Sequence, residues 1–99
     1  MVKMVVLYNT PSDPAAFEEH YRNVHMPMVG KISGIKRAEA GRILSTATGE
    51  PSQYYRITEL WFDSLEDLQK AFASPEGRAL SKDVQSFAAG LSTSYIAEA

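Results

Sequence analysis

The sequence predicts a single α+β domain, a four-stranded sheet carrying helices on one face. Three observations predict it. Strand-like and helix-like patterns follow one another as β-α-β-β-α-β, with a further helical segment before the last strand, over 99 residues, a length that suits one domain. Hydrophobic residues make up 44% and charged residues 22%, which is ordinary globular usage and neither disordered nor fibrous. The helical stretches are apolar along one stripe, whereas the strand-like runs are apolar on both faces.

Val2 to Tyr8 is a short β-rich run, closed by Asn9-Thr10-Pro11-Ser12-Asp13-Pro14. Asp13 is a natural N-cap with Pro14 at the first helical position. The first helix presents Phe17, Tyr21 and Val24 on one face and is expected to stop before Pro27, with at most a short turn over Met28 to Ile32. After Gly34, Ile35 to roughly Ala47 reads as a weakly alternating second strand, ended by the turn Thr48 to Ser52. Tyr54 to Phe62 is the strongest strand signal in the chain. Asp63 is the expected cap of the next helix, with Glu66 completing a capping box and Leu65, Leu68 and Phe72 as its stripe. Ser74-Pro75-Glu76 opens another helical segment with stripe Leu80, Val84 and Phe87, ended by Gly90. Leu91 to Ile96 is the last strand. The order is the split βαβ pattern of a ferredoxin-like sheet.

Such a sheet leaves one face uncovered. In the third strand Tyr55, Ile57, Glu59 and Trp61 alternate with Arg56, Thr58, Leu60 and Phe62, and both sets contain large apolar residues. The helices can cover only one set. The other calls for a partner, and a second copy packed sheet against sheet supplies it, so a homodimer is expected. Covering four such side chains, at ~1.5–3 kcal/mol each, is a substantial drive to associate.

The formal charge of −2 gives no attraction to phosphate backbones, so nucleic acid is not an expected partner. There is no cysteine, hence no disulfide, thiolate metal site or cysteine nucleophile. The first eight residues carry no cleavage signal, and no run approaches the ~18 apolar residues of a membrane span. No membrane partner and a cytoplasmic location are therefore expected.

Phe17-Glu18-Glu19-His20-Tyr21-Arg22-Asn23-Val24-His25-Met26-Pro27-Met28 resembles the first-helix signature of the EthD family, which ends in His-x-Pro-Leu or a close variant. Glu59 to Leu68 resembles that family's third strand and following helix, and Phe72 to Glu76 its next segment, so the resemblance spans nearly the whole chain. It implies one EthD-like domain over residues 1–99 and a dimeric α/β barrel, in which two ferredoxin-like sheets close over internal pockets. Its relatives of like fold include cofactor-free isomerases, cyclases and monooxygenases, so the fold alone does not choose a reaction.

His25 matches the motif histidine and is the leading catalytic candidate. An imidazole can give or take a proton near neutrality. A helix C-terminus would raise its pKa and burial would lower it. Tyr21, four residues earlier on the same face, is the second catalytic candidate, able to orient a carbonyl or stabilise an enolate. His20 stands about 140° around the helix from His25, so the pair should not share a ligand and His20 should sit at the surface. Glu59 interrupts an apolar strand face and should be buried and paired, as a base or as the partner of a cation. Tyr55, Trp61 and Tyr95 suit the walls of an aromatic pocket and, with Glu59, are the ligand-binding candidates. Two places suit that pocket: the helix-free face of the sheet, and the space between the first helix and the sheet.

Neither a phosphate loop, a dinucleotide fingerprint nor a zinc motif occurs, so no cofactor and no metal are expected. The resulting expectation is a cofactor-free enzyme doing proton-transfer, isomerisation, cyclisation or oxidative chemistry on a small hydrophobic cyclic compound. The alternatives are a non-catalytic binding or accessory protein for such a compound, and haem binding with His25 as axial ligand.

Overall fold

The computed structural model describes residues 1–99. The chain runs β1 (Val2–Asn9), α1 (Pro14–His20), a π-helical turn (Tyr21–His25), α2 (Met26–Val29), β2 (Arg37–Arg42), β3 (Tyr54–Phe62), α3 (Leu65–Ala73), α4 (Pro75–Phe87) and β4 (Ser92–Glu98). The strands lie in the order β2-β3-β1-β4, every neighbour antiparallel, with the helices packed on one face. This is the expected ferredoxin-like arrangement. No helix is long and apolar enough to cross a membrane.

Strand pleating sorts the side chains. Val6 and Tyr8 of β1 and Thr58, Leu60 and Phe62 of β3 are buried beneath the helices. Val5, Leu7, Ile57 and Trp61 share the other face and stay half-buried. Tyr95, opposite Val5, is exposed there. Tyr55 does not join them. The β1–β3 register slips between Tyr8 and Asn9, and the bulge turns Tyr55 to the helix side, where its ring meets Phe17 at 5.7 Å.

Asp13 caps α1 as expected, its carboxylate accepting from the Ala16 N–H, and Ser74 caps α4 in the same way from Gly77. The cap of α3 is Ser64, not Asp63: the Ser64 hydroxyl accepts from the Asp67 N–H at 3.1 Å. That moves the start one residue on, so the buried residues of α3 are Leu68 and Ala71, and Leu65 is exposed. Strand β2 is shorter than expected, because Thr46 and Glu50 close a turn through their backbones at 2.8 Å.

The helix does not stop before Pro27. It passes the proline and ends at Val29, with the turn just before the proline widened. In a regular α-helix the Pro27 ring would press on the carbonyl four residues back; a π-turn is one way past such an obstacle. Close approach also fixes Gly77 at the start of α4, where a Cβ would stand 2.1 Å from the Ala71 carbonyl oxygen. At the far end of the sheet the first and last residues meet: Val2 lies opposite Glu98, and the Ala99 N–H donates to the Met1 carbonyl at 3.0 Å.

Candidate active site

The π-turn aims the side chains of the first helical stretch. The Met26 N–H donates to the Tyr21 carbonyl, five residues back. In an α-helix each step of four residues overshoots a full turn by about 40°, so three such steps drift by about 120°. The wider turn absorbs the drift. Phe17, Tyr21, His25 and Val29, spaced by four, are all buried, whereas Val24, expected on the stripe, is 43% exposed.

His25 is 3% exposed and lines a cavity of about 210 Å³ between the helices and the sheet. Val29, Leu80, Val84, Met4, Val6 and Leu60 supply its apolar wall. Its polar residues are Tyr8, His25, Thr58, Ser81 and Gln85, with Ser92 and Ser94 from the edge strand β4. The Ser81 hydroxyl already donates to the Gly77 carbonyl.

The partner of His25 is a residue that the sequence reading did not single out. His25 Nδ1 lies 2.9 Å from Asp83 Oδ2, and His20 Nε2 lies 2.8 Å from Asp83 Oδ1. One α4 carboxylate thus joins two histidines that the helical angle alone had kept apart. A readable signal exists: Asp83 falls on the α4 stripe itself, in the series Leu80, Asp83, Val84, Phe87, where an acidic residue needs a partner.

The protonation pattern follows from chemistry. An ionised carboxylate only accepts, so both imidazoles donate to it, and His25 carries its proton on Nδ1. Burial holds the His25 pKa below the ordinary histidine value, against the opposing pull of Asp83. Burial alone would raise the Asp83 carboxyl, but hydrogen bonds from His20 and His25 together hold it below the usual carboxylate range. His25 is then a neutral imidazole with its lone pair on Nε2. A base oriented by a carboxylate at the wall of an apolar cavity is equipped to take a proton.

Tyr21 stacks against the His25 ring at 5.7 Å but stands behind the cavity wall. Its hydroxyl pairs with Thr58 Oγ1, and Thr58 is the member that reaches the cavity. Burial raises the Tyr21 phenol, in part offset by its bond with Thr58 and by Arg56, whose guanidinium lies 4.4 Å over the ring. Arg56 is itself anchored by Glu18 at 2.6 Å, and the Tyr55 hydroxyl donates to the same carboxylate at 2.8 Å.

None of Tyr55, Glu59, Trp61 and Tyr95 lines the His25 cavity. Glu59 lies on the helix-free face, only partly buried, paired with Lys3 at 3.3 Å. Trp61 on that face is flanked by Lys3 and Arg37, 5.3 and 4.9 Å from its ring. The structure thus separates the candidates into a histidine site under the helices and an aromatic, charged face on the other side of the sheet.

Residues 9–90 match the family model described as EthD domain. The chain is 42% identical over 90 residues, 91% of its length and 86% of the relative's, to an uncharacterized 11.0 kDa protein in the thcB-thcC intergenic region of Rhodococcus erythropolis. It is 41% identical to the solved structure of an EthD family protein from Bacillus halodurans, with a TM-score of 0.95, covering 100% of this chain and 98% of that one. Two distant structures share the fold alone. One is a dimeric protein of unknown function with a ferredoxin-like fold from Bacteroides fragilis (19% identity, TM-score 0.70, 99% and 95% covered). The other is SnoaB, a cofactor-independent oxygenase from Streptomyces nogalater (14% identity, TM-score 0.72, 99% and 91% covered). On the family match and these two close relatives, the chain belongs to the EthD family.

Proposed function

We propose that this protein performs proton-transfer chemistry on a small, largely apolar cyclic compound bound between the helices and the sheet, with His25 as the base. The observation that carries the reading is the buried His25–Asp83 pair at the wall of the cavity. His25 Nε2 takes a proton from a C–H or O–H next to a carbonyl. The imidazolium formed keeps its Nδ1–H on Asp83, which offsets the new positive charge. Thr58, held by Tyr21, and the hydroxyls of Ser92 and Ser94 are placed to bond the carbonyl oxygen as charge moves onto it. Tyr21 then acts through Thr58, as a positioning residue.

The protein works as a homodimer through the helix-free face, in the cytoplasm. Support for the dimer is the half-buried row Val5, Leu7, Ile57 and Trp61 beside exposed Tyr95, and a neighbour of like fold that is dimeric. The aromatic residues of that face, Trp61 and Tyr95, thereby serve assembly, and Glu59 holds Lys3 beside them.

A panel of neutral cyclic ketones and phenols tests the reading. Ligand binding is followed by NMR shifts of the His25 ring, and turnover by exchange of acidic C–H hydrogens in deuterated water. Binding together with exchange that disappears in His25→Ala is the expected result. Exchange that survives in His25→Ala refutes the base. Binding without exchange for any compound favours the carrier function instead.

A further inference from the structure

Asp83 offers two carboxylate oxygens, and each is taken by a different histidine. Oδ2 accepts from His25 inside the cavity wall, and Oδ1 accepts from His20, whose side chain is 30% exposed. The Phe87 ring lies against both imidazoles, 4.5 Å from His20 and 5.0 Å from His25, and holds them at the two ends of the bridge. Ser86 Oγ approaches the same Oδ1 at 3.4 Å but bonds the Asp83 backbone carbonyl more closely, at 2.8 Å, so His20 is the principal partner of that oxygen.

One unit of negative charge cannot fully stabilise two imidazolium rings. Asp83 attracts both rings, and a charged His20 held beside it repels charge on His25. The other groups facing the pair do not duplicate this link. From β3, Arg56 lies over the Tyr21 ring and is already paired with Glu18 of α1. From β1 and the π-turn, Tyr8 and Tyr21 face the pair as phenols whose ionisation is pushed upward by burial.

We propose that His20 is a positioning residue for His25, acting through Asp83. It fixes the carboxylate by its second oxygen, and the carboxylate holds the two rings so close that protonation of either opposes protonation of the other. The consequence is a histidine in the cavity that stays uncharged, and therefore a base, further into acid than the His25–Asp83 pair would alone. The coupling is a property of three side chains. It rests on the proton-transfer reading only for its use, and it stands or falls without a substrate.

The experiment is an NMR pH titration of both imidazoles in the full chain. His20→Gln keeps an N–H donor for Asp83 but cannot take a charge. His25 should then titrate at higher pH, its protonated fraction at fixed pH rising roughly twofold or more. Because loosened packing would also raise a buried histidine, the same substitution is repeated in an Asp83→Asn background, where the rise should be clearly smaller, since His20 has lost the carboxylate that holds it beside His25. An unmoved His25 in His20→Gln, or the same rise in both backgrounds, overturns the proposal. Should the Asp83 variant not fold, the wild-type curves decide. Coupled titration of the two rings supports the link, and two independent single-site curves refute it.

Discussion

His25 draws opposite influences from its surroundings, and a histidine buried with its proton on Nδ1 sets a direction for stability against pH. In the unfolded chain it titrates near the ordinary value of about 6.5. In the folded chain its pKa is lower, by burial first. Between the two values the unfolded state binds more protons, so stability falls as pH drops from about 6.5 through the folded midpoint of His25. Asp83 is also lowered in the fold, so its contribution is complete above the ordinary carboxylate value and is lost as pH falls further through its folded value. Urea midpoints measured across pH 4–8 should show the first decline in the wild type and lack it in His25→Gln. A second residue-level expectation concerns Tyr21→Phe, which leaves Thr58 Oγ1 without its partner beneath the helices. That should cost about 1–3 kcal/mol by chemical denaturation. At this scale His25 was legible because its evidence is local, a histidine two residues before a proline. Asp83 was not, because its meaning depends on a partner 58 positions away and acidic residues on helices are mostly solvated.

Element boundaries were legible where a cap and a proline agreed, at Asp13-Pro14 and Ser74-Pro75, and were missed where two capping residues compete or a helix tolerates its proline. Asp63 and Ser64 both suit an N-cap by type; only backbone geometry shows that Ser64 occupies it. Ser64→Ala should therefore cost about 1 kcal/mol and Asp63→Ala at most about 0.5 kcal/mol, measured by urea unfolding. Periodicity assumed one pitch throughout the first helix, so it placed Val24 inward; the π-turn adds a residue and turns it out. The packing of α3 on α4 carries a test of its own. Gly77→Ala would drive a methyl into the Ala71 backbone, which has no flexible end to yield. A loss of about 2–4 kcal/mol, and a drop of well over 5 °C in Tm, is expected in thermal unfolding.

At the scale of the whole molecule, the sheet order and the side carrying the helices were legible, because alternation and connection length leave few other topologies. The site was not fully legible at this scale. The aromatic residues chosen for its walls sit on both sides of the sheet, and only the β-bulge at Tyr55 and the pairing register reveal which. Trp61→Glu would put a carboxylate on the face assigned to the partner copy. Sedimentation at low micromolar concentration should give twice 10.9 kDa for the wild type and a folded monomer for the variant. A wild-type monomer would refute the assembly. The meeting of Met1 and Ala99 at one end of the sheet has a further use. A short glycine link between them would close the chain into a ring with little strain, and new ends could be opened in the exposed turn over Thr46–Glu50. Such a circular permutant would keep β1 and β4 paired while making strand β3 the first to be synthesised, and would show whether the fold depends on the order in which its strands are made.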